Sequence, residues 1–569
     1  MAVVVLFFAC AIPLCWLYGR LTLRACALLP SVREIWEPSF ALTALIGLAS
    51  LTVLANIASL LGSVGLEDRL LFSAAAIAYG VADRASLWAA LRRHGKQARD
   101  SGWAVAILVI VAALICVTAA VRPAAHYDTG LYYAQAIRWI EECGVVPGLG
   151  NLHDRFVANA MWFAAEALFG LPAPRRHILN SVLYLLFLLS FIAALADWQR
   201  GHRGSSVVIR IALIPISLHL FTGWMSSPTP DIPAAILTWT AWVLFFDEAE
   251  NRSLDQAGAR QAAIVLFSAV AVGVKLAVLP LVILPAYLVG HHVVRRNTRA
   301  AALLIGILAF VAIPLVARTV IASGYLVYPF SALDVLNVDW KMSADRVDNV
   351  TRWVTSWARI PMRQPDEVLA LPINAWVPIW YGRLPLLAKT FLLASGILTI
   401  AHLGISLTRR SARTRVRSRS GTLVAVLTAY AGVAYWLATA PEPRFGWAFL
   451  SLLPLLLAAE LLRALLDRVP VGVWTLLLAA LIVHFVGSSY RSDLEARHHL
   501  MRPPPYPVPE VKNVRFGNFS CAVPVHGDQC WYEPFPCTAP SLGHTVIKDP
   551  TELLMRGNTW GQGFRWKVR

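Results

Sequence analysis

The stretch WAVAILVIVAALICVTAAVRPAAHYDTGLYY, from Trp103 to Tyr133, decides how this chain folds. Its first part, Trp103 to Val121, is an apolar run of bilayer length, since a spanning helix needs about 20 such residues. A polar segment follows and opens with His126-Tyr127-Asp128. A carboxylate at the mouth of a membrane helix bundle is costly to bury and therefore indicates a functional site. The sequence thus predicts a membrane protein with a site organised around Asp128.

The composition excludes an ordinary soluble domain. Hydrophobic residues make up 57% of the 569 residues and charged residues only 15%, whereas soluble domains contain about 25% charged residues. The net charge of +17 comes from basic residues in short loops between apolar runs, as the positive-inside rule requires of cytoplasmic loops. The charge therefore indicates membrane orientation and not the binding of nucleic acid.

Assigning the strongly basic loops to the cytoplasm predicts an all-α integral membrane protein with about 14 transmembrane helices. The same assignment places two long polar segments, 122–176 and 322–384, on the opposite side, with juxtamembrane helices in them. Three regions are expected. Residues 1–100 contain helices 1–3, residues 101–489 form the transmembrane core, and residues 490–569 form a small polar tail outside the cytoplasm.

Individual helices are expected at the apolar runs. Helix 3 is predicted from Leu70 to Leu91, and helix 14 from Val471 to Ser488 leads into the tail. The run from Gln261 to His291 is too long for one ordinary helix. It is expected to make two crossings, with a turn near Lys275 to Pro280.

The first outer segment is expected to be partly helical. Residues 129–142 carry apolar and polar side chains on separate faces, which is typical of an amphipathic helix able to lie along a membrane surface. Glycines then end this helix in the loop GLGNLHDR, residues 148–155. A second short helix is expected at 158–169.

Two acidic residues each have two interpretations. Asp128 precedes the helix expected at Thr129, so it is either an N-cap, for which Asp is favoured, or a general base. Asp231 follows the turn SPTP and is either the N-cap of helix 7 or a second acid at the same membrane boundary.

The basic candidates also allow a structural and a functional interpretation. Lys275 lies in an apolar run, where it either snorkels to the interface or holds a phosphate. Arg444, in the turn PEPRF, either pairs with Glu442 or captures a phosphate through its planar guanidinium. His153 and Arg155 either order their loop or contact a substrate. With Asp128 as the catalytic candidate, the candidate substrate-binding residues are His126, Tyr127, Arg138, His153, Arg155, Asp231, Lys275, Lys341, Glu442 and Arg444.

The tail contains three cysteines, Cys521, Cys530 and Cys537. Their spacing does not match a zinc pattern. Because disulfides persist outside the cytoplasm, we expect one bond there, between Cys530 and Cys537. Elsewhere the chain contains no HExxH, P-loop or dinucleotide-binding pattern, so the sequence does not indicate an ATPase or a nicotinamide enzyme.

Four features resemble the GT-C superfamily of polytopic membrane glycosyltransferases. They are HYDTGLYYAQAIRWIEE (126–142), the turn SPTPD (227–231), Lys275 in a late apolar helix, and the turn PEPRF (441–445). The layout is similar from about Trp103 to Leu466. The chain departs from the superfamily pattern in having three helices before the one that leads into the Asp128 loop.

The resemblance implies a GT-C-like bundle that transfers a sugar, with inversion, from a polyprenyl-phosphate donor to a glycan, lipid or protein of the cell envelope. The site would face the periplasm in the bacterial inner membrane. Asp128 would be the base, Lys275 and Arg444 would hold the donor phosphate, and Asp231 would position the acceptor. Since a single Asp128 stands in place of a paired acidic motif, the resemblance is compatible with Mg²⁺, with Mn²⁺ or with no metal.

Two other functions are compatible with this layout. An O-antigen polymerase or ligase also works on lipid-linked glycans and needs mainly arginines in its outer loops. A transporter is disfavoured, because transporters tend to contain internal repeats with binding sites at the membrane midplane.

Overall fold

The fold is seen in a computed structural model of the chain. It describes residues 2–27, 36–158, 160–170, 181–199, 205–221, 224–251, 254, 258–408, 419–466, 480, 505–539 and 549–567.

The described chain is mostly α-helical. Its helices are α1 (Ala2–Ala27), α2 (Phe40–Leu61), α3 (Leu66–Ala82), α4 (Arg84–Asp100), α5 (Gly102–Ala119), α6 (Ala134–Cys143), α7 (Leu149–Leu152), α8 (Ala160–Phe169), α9 (Ser181–Gln199), α10 (Ser205–Phe221), α11 (Asp231–Asn251), α12 (Ala259–Val274), α13 (Ile283–Val294), α14 (Thr298–Ser323), α15 (Ala344–Arg359), α16 (Pro365–Leu369), α17 (Ile373–Arg383), α18 (Leu386–Thr408), α19 (Arg419–Thr439) and α20 (Pro443–Leu466). Two short antiparallel sheets lie in the tail, formed by β1 (Val511–Phe516) with β2 (Phe519–Pro524) and by β3 (Leu553–Met555) with β4 (Phe564–Trp566). These strands are the part of the fold that an all-α expectation did not include.

The long apolar helices are those of a multi-pass membrane protein. Within the described ranges, nine helices are long and apolar enough to cross a bilayer, or ten if one bent pair is a single span. Three shorter apolar helices accompany them, Ser205–Phe221, Ala259–Val274 and Pro443–Ala459. The count of about 14 spans stays a prediction. Of its last predicted helix, 471–488, the structure describes residue 480 alone.

The first two helices pack so closely that only glycine fits at two positions. A Cβ on Gly19 would lie 1.8 Å from the backbone oxygen of Thr43, and one on Gly47 would lie 1.7 Å from that of Cys15. Small residues at helix contacts allow such an approach in membranes, where packing replaces the hydrophobic driving force. α2 in turn contacts α8, α9, α12 and α14 and so lies inside the bundle.

Helix 3 was predicted to run unbroken from Leu70 to Leu91, and this continuity is wrong; α3 and α4 count as one span only as a bent pair. The chain bends by 91° between α3 and α4, at Asp83, which pairs with Arg24 and accepts a hydrogen bond from Tyr79. The physical reason is that α4 is amphipathic and basic. Such a helix suits the membrane surface better than the hydrocarbon.

The turn expected in the run from Gln261 to His291 is confirmed. α12 ends at Val274, and Lys275 has an extended backbone with φ −155° and ψ 123°. A 3-10 helix, Leu276–Val282, contains Pro280 and leads into α13. α12 and α13 contact each other, and both contact α14. Lys275 therefore lies at a break between two apolar helices.

Both helices expected in the first outer segment are present. A π-helical turn, Thr129–Tyr133, continues into α6, and α8 follows the loop. Part of the polar face of α6 is covered, because Gln135 and Arg138 are buried by contacts with tail residues 531–537, whereas Glu142 is exposed. Gln135 and Arg138 therefore hold the tail instead of facing water.

Candidate functional site

The carboxylate of Asp128 does not cap the helix that begins beside it. Asp128 has helical backbone angles, φ −64° and ψ −13°, and its side chain makes no capping hydrogen bond. An N-cap normally has an extended backbone and accepts from an amide of the first turn. The carboxylate is therefore available to partners elsewhere in the chain.

Those partners are two arginines and a tyrosine. Nη1 of Arg444, in the first turn of α20, donates to Oδ2 of Asp128 at 3.1 Å. Nη1 of Arg155 lies 3.6 Å from Oδ1, and the hydroxyl of Tyr133 donates to Oδ2 at 3.4 Å. Both carboxylate oxygens thus face a guanidinium.

His126 contacts both members of the Asp128–Arg444 pair. Its Nε2 lies 2.8 Å from Nη1 of Arg444. A guanidinium only donates, so Nε2 faces a donor, and the backbone N–H of Asp128 faces Nδ1 at 3.1 Å. A neutral ring accepts at one nitrogen only, so these two donors compete for it; Nδ1 also lies 3.8 Å from Oδ2 of Asp128. Burial lowers the pKa of His126, although Asp128 opposes this effect. The imidazole is therefore neutral at pH 7.

A second acid–cation pair lies beside the first. Lys275, at the break after α12, is paired with Asp231 at the start of α11. The hydroxyl of Thr229 donates to Oδ2 of Asp231 at 3.1 Å. Phe445 connects the two pairs, because Nζ of Lys275 lies 4.0 Å and Cζ of Arg444 lies 4.9 Å from the centroid of its ring.

We call Asp128, Arg155, Asp231, Lys275 and Arg444 the acid–cation cluster. Its members differ in depth: the Asp231 side chain is 1% exposed, that of Asp128 12% and that of Arg155 30%. Tyr127, next to Asp128, is 58% exposed. The cluster therefore reaches the surface near Tyr127 and Arg155 and is closed at Asp231.

The electrostatics of the cluster keep Asp128 ionised. Burial alone would raise the pKa of Asp128, but the guanidinium charges of Arg444 and Arg155 hold it below its ordinary value. Nearby, burial raises the pKa of Glu442, although Arg444 and Arg383 oppose this. Three cations contact two carboxylates in the cluster, which leaves an excess of positive charge suited to an anionic ligand.

A family described as a domain of unknown function, DUF8201, matches residues 1–451 of the chain. The chain belongs to the DUF8201 family. No curated protein and no solved structure matches it. In this DUF8201 protein the matched residues include the whole acid–cation cluster and end before the tail.

Three other candidate residues of the DUF8201 protein do not join the cluster. Arg138 donates to the backbone oxygen of Tyr532 at 2.8 Å and stacks on that ring. Lys341 pairs with Asp334 and donates to the backbone oxygen of Leu336 at 2.6 Å. His153 stacks on Phe156 and accepts from the amide of Arg155. These contacts are structural, and the loop-ordering interpretation of His153 is the one its geometry favours.

The tail of the DUF8201 protein supplies residues that the candidate set did not contain. The hydroxyl of Tyr127 donates to Asp528, and Nε2 of Gln529 donates to the backbone oxygen of Tyr127 at 2.9 Å. The amide of Trp531 donates to the backbone oxygen of Gly130 at 2.8 Å. We call residues 527–538 the tail loop. It lies against the segment that carries Asp128.

The predicted disulfide closes this tail loop. Cys530 is bonded to Cys537, whereas Cys521 is buried and free. Oε1 of Gln135 accepts from the amide of Cys537 at 3.2 Å. The disulfide thus holds the two ends of the loop over α6.

The donor set of the cluster does not fit a divalent cation. Within the described ranges, no group of three or more His, Cys, Asp and Glu side chains is arranged to hold a metal. Both carboxylates of the cluster already face cations, which would repel a second positive ion. We therefore assign no role to Mg²⁺ or Mn²⁺ in this site.

Proposed function

We propose that this DUF8201 protein is a membrane glycosyltransferase. It moves a sugar from a polyprenyl-phosphate donor to a hydroxyl of a cell-envelope glycan, lipid or protein. One observation carries the proposal: Asp128, Arg444, Asp231 and Lys275 come from four separate parts of the chain and meet in one cluster with an excess of positive charge. Buried charges in a membrane protein are expensive and mark functional sites.

In this proposal, Asp128 is the general base. Asp128 is ionised at neutral pH, as a base must be, since Arg444 and Arg155 hold its pKa low. The same cations make it a weak base in the free protein. A phosphate that drew the guanidinium of Arg444 away would remove part of this stabilisation and raise the pKa of Asp128. Donor binding therefore strengthens the base when the donor is in place.

The chemical step is a single displacement with inversion. The acceptor oxygen attacks the anomeric carbon while its proton passes to the carboxylate of Asp128. The bond from that carbon to the phosphate oxygen breaks, and the electron pair leaves with polyprenyl phosphate. Arg444 and Lys275 stabilise the charge that develops on the leaving phosphate. Catalysis then rests on positioning and on electrostatic stabilisation at a site largely shielded from water.

The tail supports an outward orientation of this site. The disulfide between Cys530 and Cys537 lies in the loop that contacts Tyr127 and Gly130. Disulfides persist in oxidising compartments such as the bacterial periplasm. The positive-inside rule assigns the basic loops between apolar runs to the cytoplasm, which is the side opposite the disulfide. We therefore place the transfer reaction at the periplasmic face of the inner membrane.

The proposal is tested by donor turnover. The purified protein in nanodiscs is given synthetic polyprenyl-monophosphate sugars and, in parallel, polyprenyl-diphosphate oligosaccharides, with a mixture of envelope acceptors. The proposed function predicts that a monophosphate donor is consumed and that one polyprenyl phosphate is released for each sugar transferred. Turnover of diphosphate donors alone would instead identify a polymerase or ligase.

One observation favours a transporter as a second candidate. Lys275 lies at a break between apolar helices and is paired with Asp231, and interrupted helices often form the ion and substrate sites of transporters. Flux of a labelled substrate across proteoliposomes without any covalent product would support this alternative. Covalent transfer without flux would exclude it.

A further inference from the structure

A large apolar cavity lies between α1, α2, α12 and α14. Its volume is about 660 Å³, within the range of about 300–1,000 Å³ typical of ligand pockets. Apolar side chains dominate the lining, among them Leu23, Ile46, Leu54, Leu266, Leu303 and Phe310. A cavity of this kind does not hold water well, because water needs several polar partners.

The three hydroxyl groups in the lining are already satisfied. Tyr18 donates to the backbone oxygen of Phe72 at 3.1 Å. Thr22 and Ser50 lie 2.8 Å apart and share a hydrogen bond. Each of these two hydroxyls has one proton, so one of them donates to the other, and the second donates to a backbone oxygen: Thr22 to that of Tyr18 or Ser50 to that of Ile46. No lining hydroxyl therefore demands a polar ligand, and the cavity suits hydrocarbon.

The cavity is separate from the acid–cation cluster. It is lined by the first half of α12, from Ala259 to Leu266, whereas Lys275 follows the last residue of that helix. Leu266 and Lys275 are nine positions apart in the sequence, which is about 14 Å along the helix at 1.5 Å per residue. The cavity therefore lies toward the opposite end of the bundle.

Arg299 lies at the rim of the cavity. It is exposed, and among the described residues it has no acidic partner. Arg295 and Arg296 precede it in the same basic turn, which the positive-inside rule assigns to the cytoplasmic side. Basic groups between membrane helices on that side bind anionic lipid head groups. The positive charge of Arg299 at the rim therefore suits a phosphate, and the apolar interior suits an acyl chain.

We propose that this cavity binds one anionic phospholipid of the inner leaflet, with an acyl chain among α1, α2, α12 and α14 and its phosphate at Arg299. The site does not depend on the glycosyltransferase proposal. A polyprenyl donor is a different occupant, because its phosphate would have to reach Arg444 and Lys275 at the other end of the bundle.

Two glycines provide a matched test. A Cβ on Gly306, which lines the cavity, meets no atom within 4 Å, and neither does one on Gly290 in α13, outside the lining. A Cβ at either position therefore meets open space, but only Gly306→Leu adds its side chain at the cavity lining. Arg299→Glu removes the head-group contact, and Arg84→Glu, an exposed arginine in α4, is its control.

The measurement is native mass spectrometry of delipidated full-length protein titrated with phosphatidylglycerol. We expect wild type, Gly290→Leu and Arg84→Glu to bind one lipid with equal affinity, and Gly306→Leu and Arg299→Glu to bind it at least about tenfold more weakly, which is 1.4 kcal/mol. Melting temperatures without lipid verify that every variant is folded. Wild-type affinity in both test variants would overturn the proposal, as would displacement of phosphatidylglycerol by polyprenyl phosphate at the same site.

Discussion

Arg444 donates a hydrogen bond of 3.1 Å to the carboxylate of Asp128, although 316 residues separate the two in the sequence. Asp128 lies in the segment that follows the apolar run ending at Val121, Arg444 lies in the first turn of α20, and the bundle brings these two segments together. The same Nη1 atom contacts His126. The proposed base and the cation proposed to hold the leaving phosphate therefore form one hydrogen-bonded unit.

The pH dependence of transfer should report the charges around Asp128. The carboxylate acts when ionised, and its lowered pKa predicts that kcat/KM of the wild type is flat from neutral pH down to the ordinary range of an aspartate. Arg155→Gln removes a guanidinium 3.6 Å from Oδ1, so the acid limb should move to higher pH. Arg352→Gln, an exposed arginine that pairs with Asp366 instead, is the control. An unmoved acid limb in Arg155→Gln would argue against Asp128 as the titrating base.

Variants of the Asp231–Lys275 pair should affect protein stability and sugar transfer differently. Lys275→Met leaves Asp231 buried without its cation, and breaking a buried pair in this way costs about 3–5 kcal/mol. The double variant with Asp231→Asn leaves no uncompensated charge and should recover most of that stability. Transfer should stay lost in both variants, because the phosphate has lost a cation. Recovery of transfer together with stability would show that the pair is structural only.

The tail loop should loosen when Gly130 gains a side chain. A Cβ on Gly130 would lie 2.7 Å from the ring of Trp531, so Gly130→Ala must displace the loop. Hydrogen exchange of residues 527–538 should accelerate, since the Trp531 amide loses its acceptor. Gly382→Ala, where a Cβ meets open space, should leave exchange unchanged. Unaltered exchange in Gly130→Ala would mean that the loop is not held by this contact.

Glu166, in α8, should make stability depend on pH. Burial raises the pKa of Glu166 to about 8, so the folded protein holds a proton that the unfolded chain releases near pH 4.5. The resulting stability is fully present at low pH and is lost as the pH rises through about 8. Glu166→Gln should therefore flatten the fall in melting temperature between these limits. The exposed Glu367→Gln should not, and an equal fall in wild type and Glu166→Gln would contradict the account.

Much of the fold follows from simple physical patterns in the sequence. Apolar runs located most of the long helices, and the length of one run together with Pro280 predicted the break near Lys275. The bend at Asp83 was missed because hydropathy measures whether a segment is apolar and not which way it points. The strands of the tail were not predicted, because the spacing of its cysteines does not show which segments pair as β-strands.

The site was only partly predictable for the same reason. Residue type and position at the ends of apolar runs selected Asp128, Asp231, Lys275 and Arg444, since charges there are rare. The pairing of each acid with a particular cation depends on how helices that are hundreds of residues apart pack together. Local sequence patterns carry no information about that packing. Arg138 was selected by charge alone, yet it stacks on Tyr532 of a tail that no sequence rule placed beside α6.

The most direct test of the central claim is transfer by Asp128→Asn. The protein is reconstituted in nanodiscs with a donor that the wild type turns over, and formation of the glycosidic product is followed in a single turnover. Loss of a general base should lower the rate by about 10²–10⁴-fold, with donor binding and melting temperature close to wild type. Asp334→Asn, which alters the partner of Lys341 outside the cluster, should transfer at the wild-type rate. A wild-type rate in Asp128→Asn would contradict the account.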